Sequence, residues 1–173
     1  MTEPDSSKAM KQLEQAYDLV TTTKDYEGAL RICDEVLKEH PNMLAAVRKK
    51  AAIHAYVNNF AEAIALMSDV IAQDPSEPEY FFSRAWSYLE NGNLIEAVED
   101  LSKALELGSQ RNFHYYTQSA YFFRALALLK LGRNKEAVAD CEHVRDGFLI
   151  YLHSTGKISK SDILEQAARR ETS

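Results

Sequence analysis

The chain has 173 residues, 46% of them apolar and 27% charged, with 20 Lys and Arg against 26 Asp and Glu. That length holds one domain or one compact array, and the scarcity of turn formers (6 Gly, 4 Pro) disfavours a turn-dense all-β fold. A net charge of −6, with Arg48-Lys49-Lys50 as the longest basic run, makes nucleic acid a poor default partner; a basic protein partner suits that balance better.

The first seven residues, MTEPDSS, are polar, lack the apolar core of a secretory signal, and are expected to form a disordered tail. In the next stretch, 8–41, Tyr26, Ala29, Cys33 and Val36 fall on one helix face, and Pro41 closes the unit. The helix before them is less regular. Either Tyr17 takes its small-residue position, or one residue is inserted in the run Thr21–Thr23. In 42–75, Phe60, Ala63, Met67 and Val70 repeat the stripe and Pro75 closes it. In 76–109, Phe81, Ala85 and Tyr88 share one helix face, Asn91-Gly92-Asn93 makes a turn, and Leu94, Ala97, Leu101 and Ala104 share the next. Six residues are inserted near GSQRNF (108–113), and 114–147 follows with Gly132 at its turn and Ala137, Cys141 and Val144 behind it. Beyond 147, GFLIYLHSTG is expected to prolong the last helix to about Gly156. Ser159 and Asp162 then fit a capping box that opens a short helix with the stripe Ile163, Leu164, Ala167 and Ala168, so 148–173 reads as an extension plus a cap.

Ala29, Ala63 and Ala97 recur every 34 residues. Self-similarity at such a period is the mark of stacked helical hairpins, each too small to bury its own apolar face. The small residues let paired helices approach closely; the aromatics fill the space between hairpins. The units "FFSRAWSYLENGNLIEAVEDLSKALEL" and "YFFRALALLKLGRNKEAVADCEHV" resemble the tetratricopeptide repeat family. The resemblance implies an all-α, right-handed solenoid of four hairpins with a carboxy-terminal capping helix.

It also implies a groove lined by the first helix of each hairpin, where a protein or peptide partner binds. The groove positions would be Lys11, Glu14, Asp18 and Thr21; Ala45, Arg48, Ala52 and Ala55; Glu79, Phe82, Trp86 and Leu89; and Ser119, Phe122, Leu126 and Leu129. On this reading Phe82, Trp86, Leu89, Phe122, Leu126 and Leu129 form an apolar wall that holds the partner, with Arg48 at the polar end. The competing reading is that the insertion, taken with the residues after it as 108–117 (GSQRNFHYYT), or the tail 148–158, folds over that wall and makes it plain core. One family use is a clamp for the acidic tails of heat-shock chaperones. It wants Lys and Asn where Glu14 and Asp18 stand, and so fits poorly. The carboxy-terminal unit also resembles helical-repeat immunity proteins that neutralise bacterial polymorphic toxins.

Catalysis has no footing in the sequence. The five histidines, at 40, 54, 114, 143 and 153, show no ligand-type spacing with Cys or carboxylates, and no phosphate-binding glycine loop occurs. No enzyme, metal or cofactor is therefore expected, and no run reaches the ~18 apolar residues of a membrane span. Cys33 and Cys141 each sit in a helical stripe, which reads as reduced core thiols of a cytoplasmic protein.

Overall fold

The structure is a computed structural model that describes residues 3–171 of the chain, with side chains from residue 6 to residue 170. Two compact units divide at Gln73 and Asp74. The amino-terminal unit contains α1 (Glu3–Asp18), a one-turn π-helix (Leu19–Thr23), α2 (Tyr26–Glu39), α3 (Leu44–Tyr56) and α4 (Phe60–Gln73). The carboxy-terminal unit contains α5 (Pro78–Asn91), α6 (Leu94–Gln110), α7 (Thr117–Lys130), α8 (Asn134–Cys141), β1 (Leu149–Leu152), β2 (Gly156–Ser159) and α9 (Lys160–Glu171). Within each unit the helices pack in sequence as hairpins: α1 on α2 and α3 on α4, then α5 on α6 and α7 on α8. Residues 3–7, expected to be a disordered tail, are the first turns of α1; residues 1 and 2 of that expected tail lie outside the described residues.

The periodic alanines do what their size suggests. Ala29, Ala63, Ala97 and Ala137 are at most 1% exposed, each on the second helix of its hairpin. The first helix of each hairpin buries an alanine as well, Ala16, Ala51, Ala85 and Ala125, at most 2% exposed. The small-residue position of the first hairpin is therefore Ala16 and not Tyr17. Twelve residues separate the pair in the last three hairpins and thirteen in the first.

The turns show where that extra residue goes. Each hairpin turns on one left-handed residue: Lys24 (φ 58°), Asn58 (φ 62°), Gly92 (φ 86°) and Gly132 (φ 78°). In the last three, the amide after it bonds back five residues: Asn59 to His54, Asn93 to Tyr88 and Arg133 to Leu128. In the first, Asp25 bonds back six, to Leu19. A π-turn is how a helix accommodates one inserted residue. Thr21 and Thr23 stabilise it by donating their hydroxyls to the carbonyls of Tyr17 and Leu19, both at 3.0 Å.

The six inserted residues before the fourth hairpin are split. α6 is three residues longer than α4, the loop that reaches α7 is two longer than the one that reaches α5, with Asn112 at φ 54°, and the remaining residue lies in the first turn of α7. After Cys141 the structure departs from the expected helix extension. α8 is only eight residues long, Gly147 takes φ 73°, and the chain turns back into an antiparallel hairpin. The register pairs Leu149 with Ser159 and Leu152 with Gly156. Residues 149–152 alternate outward and inward: Leu149 and Tyr151 are 43% and 73% exposed, Leu152 only 4%. Gly156, at φ 72°, ends the three-residue loop His153–Thr155, and only a left-handed residue closes such a loop cleanly.

The capping box that opens α9 is formed. Ser159 N–H and hydroxyl donate to Asp162 Oδ2 at 2.8 and 2.6 Å, and Asp162 N–H donates to Ser159 Oγ at 3.2 Å. α9 lies on α7 and α8 with Ile163 and Ala167 buried in their shared core and Leu164 half-buried; Ala168, placed on the same stripe by its spacing, is exposed.

Candidate partner-binding surfaces

In the carboxy-terminal unit the first helices α5 and α7 bring the expected apolar wall together, and the chain then covers it. Leu89, Phe122, Leu126 and Leu129 are at most 2% exposed, in one core with Ile163 of α9 and Leu152 and Ile158 of the β-hairpin. In the structure these four are covered by the chain's own segments, where the sequence reading has them facing a partner. Phe82 and Trp86 are half-buried. The Phe82 ring stacks on Tyr116 of the insertion at 4.6 Å and leans on Phe123 at 5.6 Å. Trp86 meets the edge of His153 at 6.2 Å, and Phe122 meets Phe148 at 5.1 Å. Both segments suspected of filling the groove take part: the insertion through Tyr116, the tail through Phe148, Leu152, His153 and Ile158. Apolar surface next to a tethered apolar strand is buried at the cost of little extra chain entropy, so the wall closes in cis.

Glu90, near the end of α5, was not anticipated. Its side chain is fully buried, and its two oxygens accept the backbone N–H groups of His153 (2.7 Å) and Ser154 (2.9 Å) at the tip of the β-hairpin. A buried carboxylate is tolerated only when so satisfied. Nothing in "SYLENGN" distinguishes this glutamate from a solvated one before a turn, since its donors lie more than sixty residues away.

Arg84 and Arg124 occupy matching places in the third and fourth hairpins. Each forks onto a carboxylate of its partner helix: Arg84 to Asp100 at 2.7 and 2.8 Å, Arg124 to Asp140 at 2.8 and 2.7 Å. These bonds hold both guanidiniums above their ordinary pKa. Arg124 also donates to Ser102 Oγ at 2.9 Å. Both arginines tie helices together rather than face a ligand.

The amino-terminal unit is different. With Ala16 as the small residue, the groove positions of its first helix become Met10, Leu13, Tyr17 and Val20, replacing Lys11, Glu14, Asp18 and Thr21. Leu13 and Val20 are buried, but Met10 is 45% and Tyr17 52% exposed. On α3, Ala45, Arg48 and Lys49 are half-buried while Ala52 and Tyr56 are exposed, Tyr56 by 54%; the spacing of these residues places them on one side of the helix. Lys49 Nζ sits 4.5 Å from the centre of the Tyr17 ring, joining the α1 and α3 faces into one surface. Burial lowers the Lys49 pKa. Lys50 turns away to Asp34 at 2.7 Å. Residues able to hold a metal do not gather in threes anywhere among the described residues, and no helix among them is long and apolar enough to cross a membrane.

Four helix hairpins on a common period, two to a unit, with small residues at each crossing, define an all-α repeat fold of the solenoid class. The tetratricopeptide repeat family matches over residues 21–81, 78–109 and 118–144, and the chain belongs to that family. It is 28% identical over 123 residues to human tetratricopeptide repeat protein 13, and spans 14% of that protein's length. Among solved structures it is similar to the MamA protein (TM-score 0.77, 18% identity, 95% of this chain and 82% of that one). It is also similar to a tetratricopeptide repeat protein from Parabacteroides merdae (TM-score 0.74, 16% identity, 95% and 60%). Membership makes the chain, in general terms, a protein–protein interaction module.

Proposed function

We propose that the chain is a non-enzymatic adaptor that holds a protein or peptide partner on the first-helix face of its amino-terminal unit, formed by Met10, Tyr17, Arg48, Lys49, Ala52 and Tyr56. The observation that carries this reading is the contrast between equivalent positions. Tyr17 stands where Trp86 and Leu126 stand in later hairpins, yet it is 52% exposed, whereas Leu126 is 2% exposed. Exposed aromatics gathered on one face are the usual anchors of an interface. Lys49, partly desolvated beside Tyr17, favours a partner segment with an apolar side chain next to a carboxylate. The net charge of −6, which by itself suits a basic partner, acts at longer range. A cytoplasmic setting accompanies the reading, supported by two buried thiols that form no disulfide.

Partners captured by the wild-type chain and then titrated against variants test it. Tyr17→Ala and Tyr56→Ala each weaken binding by about 2 kcal/mol, roughly 30-fold, with little change in melting temperature. Undiminished binding by both variants sinks the reading. Neither alternative gains an observation of its own. The chaperone-tail clamp meets Leu13 and Tyr17 in the corrected register, again not Lys and Asn. Toxin neutralisation requires that the captured partner be a toxin.

A further inference from the structure

The β-hairpin has the construction of a flap. Its base is pinned where its two ends meet: Lys160 N–H donates to Phe148 O at 3.0 Å, and Lys160 Nζ to Val144 O at 2.7 Å and Asp146 Oδ1 at 2.9 Å. α9 beyond it is held independently, by Ile163 and Ala167 in the core and by Arg170 on the Leu129 carbonyl. Gly147, in the left-handed region at φ 73°, lies at the near end of the base. Between these fixed points are two four-residue strands, and a lone two-stranded hairpin is marginal in water without something beneath it. Its inner side chains, Leu152 and Ile158, are 4% and 7% exposed against the wall. Its tip is fastened where the Glu90 carboxylate takes the successive N–H groups of His153 and Ser154, and the His153 ring lies against Trp86 beside it.

We propose that this hairpin is a flap latched at its tip by Glu90, and that the α5–α7 wall beneath it receives, when the flap lifts, a peptide turn that offers Glu90 two successive N–H groups, as His153 and Ser154 do, and the wall the apolar side chains flanking that turn. The occupant follows from what the wall already holds. The flap presents Phe148, Leu152 and Ile158 to the apolar residues and two adjacent amides to a buried carboxylate. An incoming segment satisfies Glu90 only by supplying equivalent donors, because leaving a buried carboxylate without hydrogen bonds costs more than the exchange returns. The proposal rests on the interaction-module reading but uses a different surface from Tyr17 and Tyr56.

The test uses the full chain and, as probe, a labelled synthetic peptide of residues 148–159, the flap's own sequence. Ser154→Pro deletes one donor N–H and leaves Glu90 and the His153 ring in place; His153→Pro deletes the other N–H together with the ring against Trp86. In the wild-type chain, the amides of His153 and Ser154 exchange with solvent at least tenfold faster than those of Phe122 and Ile163, reporting tip opening without loss of the core. Each proline variant binds the peptide at least tenfold more tightly than the wild-type chain does, and adding Glu90→Gln to either removes that gain. Tip amides that exchange as slowly as the Phe122 amide overturn the flap, as does failure of both proline variants to take up the peptide. Loss of a captured partner on Tyr17→Ala, with these results unchanged, separates this site from the one on the amino-terminal unit.

Discussion

Cys33 and Cys141 are buried in different units, 0% and 1% exposed, on the second helices of the first and fourth hairpins. Burial penalises the thiolate and pushes each thiol from 9.0 up to about 11. Because the folded pKa lies above the unfolded one, the folded state holds the proton more tightly. The resulting stability is complete below about pH 9 and is lost as pH rises through about 11. The urea midpoint is therefore expected to fall between pH 9 and 11, and to fall less steeply in the double variant Cys33→Ala, Cys141→Ala. An identical slope in that variant rules the thiols out as the cause. At pH 8 neither cysteine is expected to react with an alkylating reagent until urea unfolds the chain.

At the scale of elements, the first hairpin and the capping helix are the places where local sequence and packing contend. The π-turn takes up one extra residue between Ala16 and Ala29, a residue the other three hairpins do without. Deleting Thr22 restores their twelve-residue spacing and a regular helix end. The variant is expected to stay folded, its melting temperature unchanged or higher; collapse of the amino-terminal unit shows instead that the bulge is required by packing. The one-residue ambiguity was legible in the Thr21–Thr23 run. Its resolution was not, because Ala16 and Tyr17 are adjacent and only the burial of Ala16 in the core beside an exposed Tyr17 separates them. For α9, Ile163 is the buried anchor. Ile163→Ala leaves a cavity against α7 and α8 and is expected to cost about 2–5 kcal/mol in chemical denaturation. A change near zero shows that α9 is not a structural cap. The β-hairpin was only faintly legible: LIYL is a short apolar run with a β-branched and an aromatic residue, and Gly156 lies four residues beyond its end. The helical period of the preceding 140 residues outweighed a pattern only four residues long.

For the whole molecule, charge and local surface pull in opposite directions. The chain carries −6 overall, while its open amino-terminal face presents Lys49 and Arg48. A partner segment bearing a carboxylate is repelled at a distance and attracted at contact. Salt screens the first over a Debye length of about 8 Å near physiological strength, and affects partly buried contacts less. The association rate is thus expected to rise as salt goes from about 50 to about 300 mM, measured by stopped flow with a captured partner. A rate that falls instead identifies a basic partner, as the net charge alone suggests.

The sequence by itself determined the repeat, the four hairpins, the small residues at the crossings of the last three and the capping box. All of these rest on interactions within one hairpin or one helix turn, where spacing along the chain is spacing in space. Which surface stays open was decided by tertiary structure alone. Phe122 and Tyr17 occupy neighbouring groove positions in their repeats, and both are aromatic residues on a first helix. One is core because the β-hairpin and α9 lie over its unit; the other is half exposed. Glu90 makes the same point for a polar group. Its role depends on two backbone amides, and every residue of the chain except proline can supply one, so no residue type in the sequence marks where the latch will close.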